Sequence, residues 1–417
     1  MKFGIVGRWS RAIAVGAIVF GSATVWAQDA RPAAAPQDGK FTVTVQPPTN
    51  GSVKITPKLP AEGKVAAGTV LTLTATPADG YVLDSSYYSA SRGFNNEFPT
   101  PEIKVTVNRN VTLGASFVEK SAVENLNVIN NVVYAKPGAK ELKYDVFSPK
   151  GAKNLPCIVI IHGGGWTSNC EDVMRGLARQ LAKDGKYVAI SIDYRWIGTG
   201  DGDAKPNKMV DLIEDCYGAI LHIQEHAAEY GADPTRLAVT GDSAGGHLSA
   251  AIINMTTMIG DGGFGAKEGV YQYKPTYMPK GKTVQQARDE LTKAIRAAAP
   301  SYGVFAGQTL RRFAADSPEA LKAIAPMDNI PDVKERAVPQ FLTRGTTDPL
   351  ISNEQVQAYT DALKAKGQTV EYVQVQGASH AFFDWKPDAR TKATFMRFGV
   401  PYAAKMEEFF NKIFYPQ

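Results

Sequence analysis

Gly241-Asp242-Ser243-Ala244-Gly245 sets a serine between glycines, where an apolar run, LAVT, meets small residues with helical spacing. A strand-to-helix turn that sharp forces strained backbone angles on the serine, and the flanking glycines let strand and helix approach without Cβ clashes. The hydroxyl is thereby held above the sheet edge, and the N-terminus of the following helix favours negative charge developing beside it. A serine hydroxyl is a poor nucleophile at neutral pH, so acyl chemistry needs a base within hydrogen-bond reach and a carboxylate to fix the base's tautomer. Both residue types follow later apolar runs: Asp348 in GTTDPL after VPQFLTRG, and His380 in GASHAF after VEYVQVQ. An earlier run, CIVII, ends in His162-Gly163-Gly164-Gly165-Trp166, where glycines let backbone amides turn toward an oxyanion about 3 Å away. Asp384 and Asp388 are reserve carboxylates, and Asp242 is read as making local hydrogen bonds.

These residues need a scaffold, and the pattern around them predicts one. From about Ser121 to the C-terminus (121–417), apolar strands alternate with amphipathic helices, which argues for an α/β fold: a doubly wound, mostly parallel sheet. CIVIIHGGGW reads as a buried strand, and CEDVMRGLARQLAKDG as a helix opened by a capping box of Ser168 and Glu171. YVAISIDYRW is the next strand. The helix after it carries an apolar stripe through Met209, Leu212, Cys216, Ile220, Ile223 and Ala227. Residues 41–119 are different: five short runs, FTVTV, GSVKI, GTVLTLTATP, IKVTV and VTLGASF, alternate apolar and polar residues between turn signals, predicting a small all-β domain of about five strands.

With every motif in order, residues from about Val123 to Phe414 resemble the α/β-hydrolase fold, specifically the serine esterases that carry HGGGW and GDSAGG: the hormone-sensitive-lipase-like group and its bacterial carboxylesterase relatives. The resemblance implies Ser243 as nucleophile, His380 as general base and then acid, and Asp348 as the group orienting His380. It also implies an oxyanion hole formed by the amides of Gly164, Gly165 and Ala244, with His162 shaping that loop rather than reacting, and no cofactor. The β segment resembles the internalin-type B-repeat of bacterial extracellular proteins, a spacer or adhesion module, so its expected contacts are glycan or the cell surface.

The 417 residues, 44% of them hydrophobic, suffice for one large and one small domain. Residues 1–27 read as a secretory signal: Lys2, Arg8 and Arg11 precede a short apolar stretch, and small residues stand before the expected cleavage after Ala27. An Ala/Pro linker (28–40) follows, and the expected location is secreted or periplasmic, with no transmembrane segment once the signal is removed. Cleavage takes away three positive charges and lowers the formal charge from +5 to +2, giving no electrostatic case for a nucleic-acid partner. The three cysteines are an odd set, in which Cys157 reads as buried and a Cys170–Cys216 bridge stays open. HIQEH, His222 to His226, matches an inverted zinc-peptidase motif. Its histidines lie off the apolar stripe with Glu225 nearly opposite, so the trio is expected to face solvent and no metal is assigned. The acidic loop GTGDGDAKPN is read as solvated rather than calcium-binding, and His247 as a helix residue away from substrate.

A Gly-, Tyr- and Pro-rich insertion at about 259–293 reads as a partial lid or aromatic wall, with Trp166, Trp196, Tyr271 and Tyr273 as substrate-binding candidates. Export, a β module and an esterase-like core together resemble bacterial enzymes that strip acetyl or feruloyl esters from plant polysaccharides. A general short-chain carboxylesterase, a serine peptidase of the same fold, and an adhesion protein with an inactive hydrolase domain are the alternatives.

Overall fold

The computed structural model describes residues 39–91, 94–314 and 317–416, so the expected signal and nearly all of the linker lie outside it. The described residues form one compact unit.

The N-terminal module has eight strands rather than about five: Lys40–Val45 (β1), Gly51–Thr56 (β2), Lys64–Ala66 (β3), Thr69–Pro77 (β4), Tyr81–Ser91 (β5), Phe94–Phe98 (β6), Glu102–Val107 (β7) and Val111–Glu119 (β8). They form a five-stranded sheet, β3-β1-β8-β5-β6, and a three-stranded sheet, β2-β4-β7. Alternation works as expected where one face is buried: Ile103, Val105 and Val107 of β7 join Leu71, Leu73, Phe41, Val43 and Leu113 in one apolar cluster. Strand β5 escaped the pattern because it buries Ser85 and Ser86 beside Tyr87, so no apolar alternation marks it.

The second part is an eight-stranded sheet in the order β16-β15-β14-β13-β11-β12-β10-β9. Its strands are Leu126–Ala135 (β9), Leu142–Pro149 (β10), Leu155–Ile161 (β11), Val188–Ile192 (β12), Ala232–Asp242 (β13), Ile295–Ser301 (β14), Gln340–Gly345 (β15) and Val370–Val375 (β16). The pairs involving β10 are antiparallel and the remainder parallel. The helices are Arg175–Ala182 (α1), Met209–Glu225 (α2), Ala244–Asn254 (α3), Val284–Ala294 (α4), Gly307–Ala314 (α5), Pro318–Ala323 (α6), Asn353–Ala365 (α7), Ala389–Thr394 (α8) and Val400–Phe414 (α9). The buried strand β11 sorts its side chains by parity: Cys157, Val159 and Ile161 pack with α2 and α3, while Ile158 and Ile160 pack with α1 and α9. This two-faced burial is why its sequence is a continuous apolar run. All six residues of the expected α2 stripe are buried, and so are Ile213, Tyr217 and Leu221.

Two local expectations fail, and one open question is answered. The Ser168 capping box does not form, because Ser168 Oγ donates to Gly164 O at 2.8 Å; a 3₁₀ turn, Glu171–Met174, enters α1 without a side-chain cap. Cys170 and Cys216 are free thiols, the latter fully buried under the sheet. His222 does not face solvent: it is half-buried, hydrogen-bonded through Nδ1 to Tyr144 Oη at 2.8 Å and packed edge-on against Tyr277. Among the described residues no cluster of His, Cys, Asp or Glu has metal-binding geometry, and no helix is long and apolar enough to cross a membrane.

Candidate active site

Ser243 sits between β13 and α3 at φ 51° and ψ −112°, a left-handed conformation unusual for a residue with a Cβ. The neighbouring glycines show what holds it there. A Cβ on Gly241 would lie 2.4 Å from Ile161 O, and one on Gly245 would lie 1.9 Å from the same oxygen. The turn is thus jammed against the end of β11, and the Ser243 amide donates to Ser301 O of β14 at 3.0 Å.

His380 and Asp348 arrive from the ends of β16 and β15. His380 Nε2 is 2.9 Å from Ser243 Oγ, and His380 Nδ1 is 2.8 Å from Asp348 Oδ2. The Asp348 side chain is fully buried; its Oδ1 accepts from the amides of Leu350 and Ile351 at 2.8 and 3.0 Å. Burial alone would raise its pKa, but the hydrogen bond and charge of His380, with those two amides, hold the carboxyl below its ordinary range. Arg344 braces the turn by donating to Ile351 O and Asp348 O. The arrangement suits one tautomer, with the serine hydroxyl donating to Nε2 and Nδ1–H donating to an ionised carboxylate. Neither reserve carboxylate competes: Asp388 caps α8 through the Thr391 amide, and Asp384 is paired with Lys386.

The glycine turn after β11 is built around Asp242. Its Oδ1 accepts the Gly163 amide at 2.7 Å, which leaves the following peptides to turn away from the strand. Gly164 has φ 124° and Gly165 φ 60°; a Cβ on Gly164 would fall 2.2 Å from Ser168 O. Among the described residues neither amide donates to another backbone group, so both are available to a ligand. His162 is buried, stacked on Tyr194 at 4.2 Å, with Nδ1 2.6 Å from Gly163 O and Nε2 3.3 Å from Asp193 Oδ1. It shapes the turn from beneath. His247 is also buried: Nε2 donates to Ile324 O at 2.9 Å, and Nδ1 accepts from Trp166 Nε1 at 3.3 Å.

Tyr302 was not legible in the sequence. Directly after β14 it adopts φ 34°, and its buried ring packs edge-on against His380 with centroids 4.9 Å apart. Its hydroxyl donates to Asp242 Oδ2 at 3.3 Å and accepts from the Phe383 amide at 3.3 Å. One side chain therefore touches the histidine, its loop and the carboxylate beneath the glycine turn.

One residue of the expected aromatic wall, Tyr273, needs correcting. Tyr273 is fully buried, bonded to Ala323 O at 2.5 Å and packed on Tyr217 and Phe264, so it belongs to the core. Trp166 is 4% exposed and packs on His247. Trp196 donates to Asn169 O under the Lys140 ammonium, and Tyr271 lies 3.4 Å from Ser317 Oγ. The insertion itself runs along α2: Thr276 bonds Asp215, Tyr277 bonds Glu225, and the Lys274 amide donates to Glu214. Its apolar and aromatic residues found partners in the fold, which composition alone does not reveal. In the acidic loop, Asp201 pairs with Lys140, and Asp203 accepts from Ala139 N and Asn207, so these carboxylates are engaged internally.

A strained serine between strand and helix, a histidine and carboxylate from later strand ends, and a glycine turn on the adjoining strand define a hydrolase-type site on a doubly wound sheet. A family model described as alpha/beta hydrolase fold matches residues 158–384, more than half of the chain, and the chain belongs to that family. A second model, described as a divergent InlB B-repeat domain, matches residues 41–121. Among curated proteins, esterase LipQ of Mycobacterium tuberculosis is 26% identical over 266 residues, covering 59% of this chain and 55% of that protein. Carboxylic ester hydrolase LipN of the same organism is 39% identical over 121 residues, 28% of this chain and 30% of LipN. The chain thus aligns with less than two thirds of either relative's length. Esterase 2 of Thermogutta terrifontis, in a structure phosphorylated by paraoxon, superposes with a TM-score of 0.51 at 25% identity over 71% of this chain and 97% of that one.

Proposed function

We propose that the protein is a serine carboxylic ester hydrolase working through an acyl-enzyme, and the observation that carries this is the relay Ser243–His380–Asp348 at 2.9 and 2.8 Å. His380 takes the Ser243 proton as Oγ attacks the ester carbonyl, and Asp348 stabilises the imidazolium that forms. The carbonyl oxygen, now negative, is received by the amides of Gly164, Gly165 and Ala244. His380 returns the proton to the departing alcohol; water then enters, loses a proton to His380 and attacks the acyl carbon, and His380 delivers that proton to Ser243 Oγ as the acid leaves. The esterase names of the relatives support this reaction class.

Within that class the reading is a hydrolase of short acyl, above all acetyl, or feruloyl esters of polysaccharides, exported to the periplasm or the exterior. The leader-like N-terminus and the B-repeat match, a module type associated with bacterial surfaces, support this placement. The test is p-nitrophenol release from acetate, butyrate and octanoate esters beside methyl ferulate and acetylated xylan, with Ser243→Ala as the control. Serine-dependent release from ferulate or xylan acetate supports the polysaccharide reading. Turnover confined to the synthetic esters rejects it and leaves a general carboxylesterase.

A further inference from the structure

We propose that Asp84, a residue of the N-terminal β module, is a positioning residue for the active site, joining the segment behind the glycine turn to the loop behind His380. The inference rests on the Ser243 reading above. Asp84 lies on β5 with its side chain fully buried, at the meeting of three pieces of chain. Its Oδ1 accepts from Arg175 Nε at 3.0 Å and Arg179 Nη1 at 2.8 Å, both on α1, which follows the glycine turn through a single 3₁₀ turn. Its Oδ2 accepts from Trp385 Nε1 at 2.8 Å, five residues beyond His380, and from Ser116 Oγ at 2.9 Å within the module.

Trp385 is fastened to the same place by other means. Its amide donates to Val173 O at 2.9 Å, the Arg179 guanidinium lies 4.7 Å from its ring, and a Cβ on Gly176 would meet the ring at 2.8 Å. Glu97 of β6 adds a second carboxylate on Arg175. A narrow cleft at this junction is walled by Asn95 and Glu97 of the module, by Asn169, Cys170 and Asp172 behind the glycine turn, and by Lys386 of the histidine loop. Burial would raise the pKa of Asp84, yet the charges of Arg175, Arg179 and Lys392 hold it well below the carboxylate range, so the tie stays ionised.

The consequence is geometric. The amides facing the oxyanion and the imidazole that moves the proton sit on separate loops, and catalysis is sensitive to displacements of about 1 Å between such groups. The ionised carboxylate of Asp84 ties together the segments that follow those two loops.

The test uses full-length protein. Asp84→Asn takes the carboxylate from buried Arg179, leaves Arg175 to Glu97 and Asp172, and is expected to lower the melting temperature, so Trp385→Phe is the sharper variant: it removes the bond to Asp84 Oδ2, keeps both arginine pairs and leaves an aromatic ring beneath Arg179. Trp385→Phe is expected to melt near wild type and keep KM for p-nitrophenyl acetate within about twofold, while kcat falls between about 10- and 100-fold. A folded Trp385→Phe enzyme with wild-type kcat overturns the inference, as does Asp84→Asn if it stays folded with full kcat. If wild-type turnover proves independent of Ser243, the reading beneath fails instead, and that control separates the two failures.

Discussion

His380 Nε2 lies 2.9 Å from Ser243 Oγ although 137 residues separate them, and the same imidazole holds Asp348 with its other nitrogen. Three strand ends, of β13, β15 and β16, converge to make that contact. The parallel register of the sheet sets the spacing, since β13, β14, β15 and β16 are consecutive neighbours.

Asp348→Asn keeps the shape of the carboxylate, but with its oxygen on the Leu350 and Ile351 amides its NH2 donates to His380 Nδ1, which puts the ring proton on Nε2, where it cannot accept from Ser243. Loss of kcat on the order of 10⁴-fold is expected, with the fold intact. Steady-state kinetics beside a circular dichroism melt checks it, and a loss below about tenfold would mean that Asp348 does not orient the base.

Tyr302→Phe deletes a hydroxyl that serves both Asp242 and the Phe383 amide inside the protein. Leaving those groups unpartnered is expected to cost about 1–3 kcal/mol, read from urea unfolding. Because the ring against His380 is retained, activity should fall less than in the Asp348 variant. Unchanged stability would show that the two hydrogen bonds contribute nothing net.

Gly245→Ala directs a methyl group at Ile161 O, 1.9 Å away and part of a strand that cannot retreat. The expected outcome is loss of at least about 3 kcal/mol or failure to fold. A stable, active Gly245→Ala protein would mean that the elbow tolerates a wider approach between β11 and α3.

Burial pushes the His247 pKa from 6.5 down to about 4, against a smaller opposing effect of its bond to Ile324 O. The unfolded chain therefore takes up this proton near pH 6.5 while the folded one resists until about pH 4. Stability should fall as pH drops across that window, by roughly 3 kcal/mol from this residue. His247→Gln can keep the acceptor for Trp166 and the donor for Ile324, and should flatten the slope. An identical slope in both proteins would assign the pH dependence to other groups.

What was legible in the sequence was local. Gly241 to Gly245 announces its own turn, because the steric demand on the two glycines falls within a few residues of the serine. The apolar runs CIVII, VAISI and LAV announced β11, β12 and β13 because buried parallel strands are apolar on both faces, while the half-buried strand β16, VEYVQV, announced itself by alternation. Asp84 was illegible, since its meaning depends on Trp385, 301 residues away. Tyr302 looked like any aromatic after a strand; only the packing of β13, β14 and the histidine loop gives its hydroxyl two partners. The aromatic insertion misled for the converse reason: Tyr273 has the composition of a wall residue, but a backbone carbonyl at Ala323 made burial affordable.

The most direct measurement is labelling of the wild-type protein and Ser243→Ala by a fluorophosphonate probe, followed by peptide mass mapping, with initial rates on p-nitrophenyl acetate from the same samples. The expected result is one adduct on the peptide containing Ser243, lost together with turnover in the variant. Wild-type-level turnover or labelling in Ser243→Ala would contradict the proposed mechanism at its centre.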